Sequence, residues 1–246
     1  MISKVDHFIA KNFHQLYTWG GEIMNKFMEG ISLIAEAGIL FLLIGFGLAL
    51  FKRTRKIGGT ILLSVALGFL FTNIILKHAI ARSRPFENIS SDFYRWWLDA
   101  GASFENGYSF PSGHTTATTA FAMAIFLTTN KKYSWPIVLL PIFMACSRIY
   151  LMVHYFSDCV GGLIVGTACA TTAWFVIKMI YSSKWKFFVW IREFDIFKRR
   201  AVQTSSSSSA KQGEQSSPSE DYVYTPQGDE KSSDAPTTET DTDKDD

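Results

Sequence analysis

Apolar and polar positions alternate along this chain in long blocks. Five stretches are apolar over lengths near those needed to cross a bilayer: roughly 31–51, 59–80, 113–129, 134–153 and 159–181. A crossing takes about 20 mostly apolar residues at about 1.5 Å each. The third stretch is the weakest, being short and rich in threonine. Residues 1–30 differ: Val5, Phe8, Ile9, Phe13 and Leu16 recur at helical spacing among polar neighbours. That pattern predicts an amphipathic helix, either lying in the membrane interface or packed against the other helices. A sixth crossing within 1–30 is the remaining possibility for this segment. The first apolar run begins near Ile31, too late and too long for the core of a cleaved leader.

The predicted fold is therefore all-α: a polytopic membrane helix bundle of five to six transmembrane helices. Four regions are expected. They are an N-terminal amphipathic or interfacial helix (1–30), a transmembrane core (31–181), a basic juxtamembrane amphipathic segment (182–200) and an acidic Ser/Thr-rich tail (201–246). The tail has little apolar surface to offset the entropy of ordering and is expected to be disordered.

Charge refines this picture. The formal net charge is only +2, but the tail holds 11 acidic and 3 basic residues, so a −8 tail follows a +10 body. The links 51–56 (FKRTRK), 129–134 (TNKKYS) and 182–200 are rich in Lys and Arg. Alternation puts all three on one side, and positive links mark the cytoplasmic side. The tail is then cytoplasmic, and segments 1–30, 81–112 and 154–158 face outward. Three cysteines, Cys146, Cys159 and Cys169, fit no metal spacing and read as small packing residues.

The outward segments hold the unusual polar residues. Arg148 interrupts an apolar run near its end, where an arginine is costly unless it snorkels or meets an anion. Lys77, Arg82 and Arg84 add cations on the face that the positive-inside trend disfavours. In Pro111-Ser112-Gly113-His114, proline blocks continuation, serine is a good N-cap, and glycine lets a ligand approach the backbone. The free N–H groups of such a helix start suit an anion. His154 and Asp158 are four apart, close enough for the carboxylate to fix the imidazole tautomer if the segment is helical. Each feature has an ordinary structural reading. Together, four cations, a helix-start anion site and two histidines on one membrane face point to phosphoryl chemistry at a lipid surface. One His–Asp pair leaves too few ligands for a metal.

The order of these motifs is specific. Lys77, then Arg84-Pro85, then Pro111 to His114, then Ser147-Arg148, His154 and Asp158 resemble the three-part signature of the type 2 phosphatidic acid phosphatase family, which also includes vanadium haloperoxidases. The resemblance covers roughly residues 1–181. It departs at Phe156, where a proline is common, and the tail has no counterpart. What the resemblance implies is a lipid phosphatase working through a phosphohistidine. His154 corresponds to the nucleophile, Asp158 to its orienting partner and His114 to the general acid. Lys77, Arg84, Arg148, Ser112, Gly113 and Ser147 correspond to the phosphate-binding set. It implies no metal, no cofactor and no nucleic acid. The partners are membrane lipids and a lipid phosphate or diphosphate. Undecaprenyl diphosphate is the favoured substrate, with phosphatidylglycerol phosphate or phosphatidate as the alternative. A non-catalytic relative that binds or moves lipids is the alternative of another class; the retained His114, His154 and Asp158 argue against it.

Overall fold

The computed structural model describes residues 3–33 and 38–184, and every regular element among them is helical. The expectations for 201–246, and for nearly all of 182–200, lie outside the described residues. Helix α1 (Lys4–Leu33) is the predicted N-terminal helix, bent where Gly21 leaves helical geometry. After it come α2 (Ile39–Leu50) and α3 (Arg55–Phe69). α3 runs without a break into a π-helical stretch, Leu70–Leu76, and a last turn, α4 (Lys77–Ile80). The outward loop carries α5 (Asp92–Asp99). Then follow α6 (Gly113–Thr128), a short α7 (Lys131–Ser134), α8 (Leu139–Tyr150) and α9 (Phe156–Ser182).

α6 lies at the centre, packed against α3, α8 and α9. That explains its threonines. Thr116, Thr118 and Thr119 are buried, and their hydroxyls donate to carbonyls one turn back at 2.9, 2.7 and 2.6 Å. A central helix meets protein rather than lipid, so its polar side chains are tolerated when bonded to the backbone. Around it, Phe41, Ile61, Val65, Phe121 and Met144 form one apolar core, with Phe41 and Phe121 stacked 4.4 Å apart. Large apolar side chains on the outer faces, such as Leu43, Phe143, Ile164 and Met179, remain exposed. An apolar exterior of this kind suits a lipid surround.

Two helical stretches among the described residues, Arg55–Glu87 and Phe156–Ser182, are long and apolar enough to cross a membrane. The other three predicted crossings correspond to shorter helices: 12 residues in α2, 16 in α6 and 12 in α8. The run 31–51 is divided rather than continuous, because α1 ends at Leu33 and Gly38 takes a left-handed conformation before α2. α1 packs on α8 and α9 through Ala10, Phe13 and Met28 while leaving Phe8, Trp19, Ile23 and Phe27 outward. It is thus both amphipathic and part of the bundle.

The π stretch sets the register of the site. Val65, Phe69, Asn73 and Lys77 all line one cavity. In an unbroken α-helix, twelve residues turn through about 1200° and would leave Lys77 about 120° away from Val65. A π turn absorbs one extra residue and brings the two to within about 20° of one line.

Candidate active site

The site is built where three chain segments meet. Ser112 caps α6, accepting the Thr115 N–H at 3.4 Å and the Thr115 hydroxyl at 3.0 Å. Its own N–H donates to the Asp158 carbonyl at 3.0 Å, which joins the start of α6 to the start of α9. The cap takes one first-turn N–H and leaves those of Gly113 and His114 available. A Cβ on Gly113 would meet Asn73 Oδ1 at 3.5 Å and Lys77 Nζ at 3.9 Å, so the glycine backbone directly faces the lysine.

His154 precedes α9, and Asp158 lies in that helix's first turn. They meet across a helix N-terminus rather than along a helix. The Asp158 Oδ2 accepts the Tyr155 N–H at 2.9 Å and the Ser109 hydroxyl at 2.5 Å. His154 Nδ1 lies 3.6 Å from that oxygen and 3.5 Å from Ser109 Oγ. Nδ1 therefore faces the carboxylate, and Nε2 is left for the cavity that His154 lines. Burial pushes the His154 imidazole down to about 4, with Arg84 and Arg148 assisting and Asp158 opposing. It is neutral at physiological pH, the form a nitrogen nucleophile requires.

Arg84 is buried and held by three carbonyls: Gly107 at 2.8 Å, Val153 at 3.1 Å and Asn106 at 3.0 Å. Arg148 is buried beside it and donates to Ser32 and Glu105. Glu105 occupies the space between the two arginines, with Oε2 3.3 Å from Arg84 Nη1 and Oε1 3.9 Å from His114 Nδ1. Burial opposes its charge, but Arg148, His114, His154 and Arg84 outweigh that and bring its pKa down to about 2. An ionised carboxylate gripped by two arginines shows that this pocket accommodates an oxyanion.

Lys77, Glu105, Gly113, His114 and His154 line the polar end of a cavity of about 200 Å³, and Val65, Gly68, Phe69 and Ala117 line its apolar end. An anion at the top and an alkyl chain below would both find suitable surroundings. His154, Asp158, His114, Lys77, Arg84, Arg148, Ser112 and Gly113 are brought together. Ser147 is not: its hydroxyl donates to the Met28 carbonyl at 2.6 Å and ties α8 to α1. Arg82 also turns away from the cavity, toward Asp158 and Asp6. Sequence reasoning missed Glu105, Ser109, Asn73 and Asp6. Of these, only Asn73 carried a signal, as a lone amide within an apolar run.

Fold and site together define a class: a membrane protein, helical in every regular element of its described residues, with two histidines at the polar end of a cavity whose other end is apolar. The chain belongs to the PAP2 superfamily, whose model matches residues 57–182. It is 30% identical over 121 residues to an undecaprenyl-diphosphatase of Sulfolobus acidocaldarius, covering 49% of this chain and 55% of that protein. It is 30% identical over 155 residues to a lipid A 1-phosphatase of Rhizobium etli, covering 59% of this chain and 65% of that one. The chain thus spans somewhat more than half the length of these relatives. In fold it is similar to the transmembrane PAP2-type phosphatidylglycerolphosphate phosphatase of Bacillus subtilis, with a TM-score of 0.51 at 21% identity, over 75% of this chain and 90% of that structure.

Proposed function

We propose that this protein is an integral membrane lipid phosphatase that acts through a phosphohistidine. The observation that carries the reading is that His154 lines one cavity with Lys77, Gly113, His114 and Glu105, the last held by Arg84 and Arg148, while Val65, Phe69 and Ala117 make its apolar end. In the first step Nε2 attacks phosphorus, and the bond from phosphorus to the lipid-side oxygen breaks. His114 gives that oxygen its proton. Asp158 balances the positive charge gained by the His154 ring. Lys77, Arg84, Arg148 and the Gly113 N–H stabilise charge on the transferring group. In the second step water attacks the phosphohistidine, His114 takes its proton, and inorganic phosphate leaves. Fixed cations supply the charge stabilisation, so EDTA is expected to leave phosphate release within about twofold of its untreated rate, given that one removed electrostatic donor typically costs far more. Strict dependence on added magnesium would contradict this assignment.

We assign five crossings, with α1 at the outer interface, the active face extracytoplasmic and the C-terminus cytoplasmic. Alternation of the apolar runs along the sequence puts the basic links opposite the motifs, and Trp96, Trp97 and Tyr94 in the 81–112 segment suit the headgroup level. Labelling a cysteine at position 90 from outside intact cells tests this, and labelling only after permeabilisation would reverse it.

Among substrates we favour an isoprenoid diphosphate, undecaprenyl diphosphate. An outward site meets it where it is released, whereas a glycerophospholipid made on the inner leaflet must first cross. The Sulfolobus relative acts on the former class by its name, and the Bacillus structure on the latter. Phosphate release from undecaprenyl diphosphate and phosphatidylglycerol phosphate, at equal surface fraction in mixed micelles, decides between them. The diphosphate is expected to turn over faster, and a clear preference for the glycerophospholipid would overturn the choice.

A further inference from the structure

Asp6 is the most deeply buried acid of α1, with 1% of its surface exposed, and it lies outside the matched residues 57–182. A carboxylate so enclosed must be paired and hydrogen-bonded to persist. Its Oδ1 accepts the Ser157 N–H at 2.9 Å, and its Oδ2 accepts the Ser157 hydroxyl at 3.0 Å and Arg82 Nη2 at 3.0 Å. The other arm of the same guanidinium, Arg82 Nη1, donates to Asp158 Oδ1 at 2.5 Å and to Ser157 Oγ at 2.7 Å. The guanidinium lies over the Tyr155 ring, 4.1 Å from its centre. One arginine is therefore shared between two carboxylates, and the second of these faces His154.

The charge count gives this arrangement a consequence. An Arg82–Asp158 pair by itself is neutral. The His154 ring gains a positive charge when it takes a phosphoryl group, and it would then face a neutral pair with Arg84 and Arg148 close by. Asp6 adds one negative charge, so the Asp6–Arg82–Asp158 group totals −1. We propose that Asp6 is a positioning residue that offsets Arg82, so that Asp158 keeps its charge for the imidazolium formed at His154. This rests on the phosphatase reading above. Asp6 stays ionised in this setting. Burial opposes its charge, but the Ser157 N–H, Arg82 and the Ser157 and Ser3 groups outweigh burial and hold its pKa below the ordinary carboxylate value.

The test uses the full-length protein in detergent with a short-chain isoprenoid diphosphate, measuring steady-state kinetics and thermal midpoint. Asp6→Asn keeps an acceptor for the Ser157 N–H but removes the charge. It should lower kcat about tenfold or more with KM within about twofold, because Asp6 stabilises the charged intermediate and does not touch substrate. Asp6→Glu, which restores the charge, should recover part of that loss. The decisive variant is Asp6→Asn combined with Arg82→Gln. It leaves Asp158 as the uncompensated charge, so kcat should rise at least about fivefold above Asp6→Asn alone, a favourable coupling between neighbours. A purely structural Asp6 would make the double variant equal to or worse than the single one, and that result overturns the proposal. So does an Asp6→Asn protein with normal kcat. Wild-type protein that releases no phosphate from the lipid would instead overturn the phosphatase reading and this inference with it.

Discussion

Replacing His154 with alanine is expected to abolish phosphate release and the trapped phosphoenzyme together. His154 lines the cavity with its Nδ1 3.6 Å from the Asp158 carboxylate, closer than the 3.9 Å that separates His114 Nδ1 from Glu105, so its other ring nitrogen is the one left to attack. Its loss removes the bond-forming atom, and water has no comparable route to the phosphorus, so a fall of about 10⁴ or more in kcat is expected. His114→Ala should behave differently. It removes the proton donor but leaves the nucleophile, so kcat should fall by about 10²–10⁴, the range for a general acid. The loss should shrink for a substrate whose leaving group needs no proton, such as a nitrophenyl phosphate. Rapid acid quench after mixing with labelled substrate separates the two variants. Wild type and His114→Ala should yield an acid-labile phosphoenzyme, and His154→Ala should yield none. Near-normal turnover in His154→Ala would sink the assigned mechanism.

Motif spacing made much of this site legible, because each motif states its own local structure. Pro111-Ser112-Gly113-His114 predicts a capped helix start, and α6 begins there with Ser112 as its cap. The meeting of His154 and Asp158 was also legible, although its geometry was not. The pair is joined across the first turn of α9, and a spacing of four fits both arrangements. Sequence could not show which way the cations point. Lys77, Arg82, Arg84 and Arg148 look equivalent along the chain. In the fold, Arg84 and Arg148 hold Glu105, Lys77 faces Gly113, and Arg82 braces Asp158. Glu105 was invisible for a related reason. Its place depends on a loop fixed by Arg84 bonding to the carbonyls of Asn106 and Gly107, and such long-range backbone contacts leave no periodic trace. The same holds for Asp6, which is an ordinary acid in the first turn of an amphipathic helix until Arg82 arrives from 76 residues away. Apolar runs report burial as well as lipid, so the pattern alone could not tell the central helix from the outer ones. α6 is apolar since it is central, and its threonines mark the protein contacts around it.

Changing Gly166 to valine is expected to damage activity through geometry alone, although it lies well away from both histidines in sequence. Gly162 and Gly166 are one turn apart on α9, a spacing that lets helix backbones approach closely within membranes. A Cβ at Gly166 would lie 2.6 Å from Thr119 Cβ and 2.7 Å from the Thr116 carbonyl oxygen. At Gly162 it would lie 2.9 Å from the Ser112 carbonyl oxygen. These contacts are with α6 backbone or with side-chain atoms next to it, so a larger residue must push the two helices apart. The push is transmitted to the joined starts of α6 and α9, where the Ser112 N–H donates to the Asp158 carbonyl. His114 rides on α6, and His154 is oriented by Asp158 on α9. Widening the gap therefore separates the acid from the nucleophile. A misplacement of about 1 Å can cost 10²-fold in rate, and overpacking itself costs about 1–3 kcal/mol. Gly166→Val should therefore lower the thermal midpoint and reduce kcat by about tenfold to a hundredfold in the fraction that folds. Gly166→Ala should fall between valine and wild type. The comparison is Gly47, inside α2, where an added Cβ meets nothing within 4 Å. Gly47→Ala should keep full activity and gain up to about 1 kcal/mol from helix propensity. If Gly166→Val matched Gly47→Ala in both activity and melting, α9 would not be setting the position of α6, and the distance between His114 and His154 would have to be fixed by the loops instead.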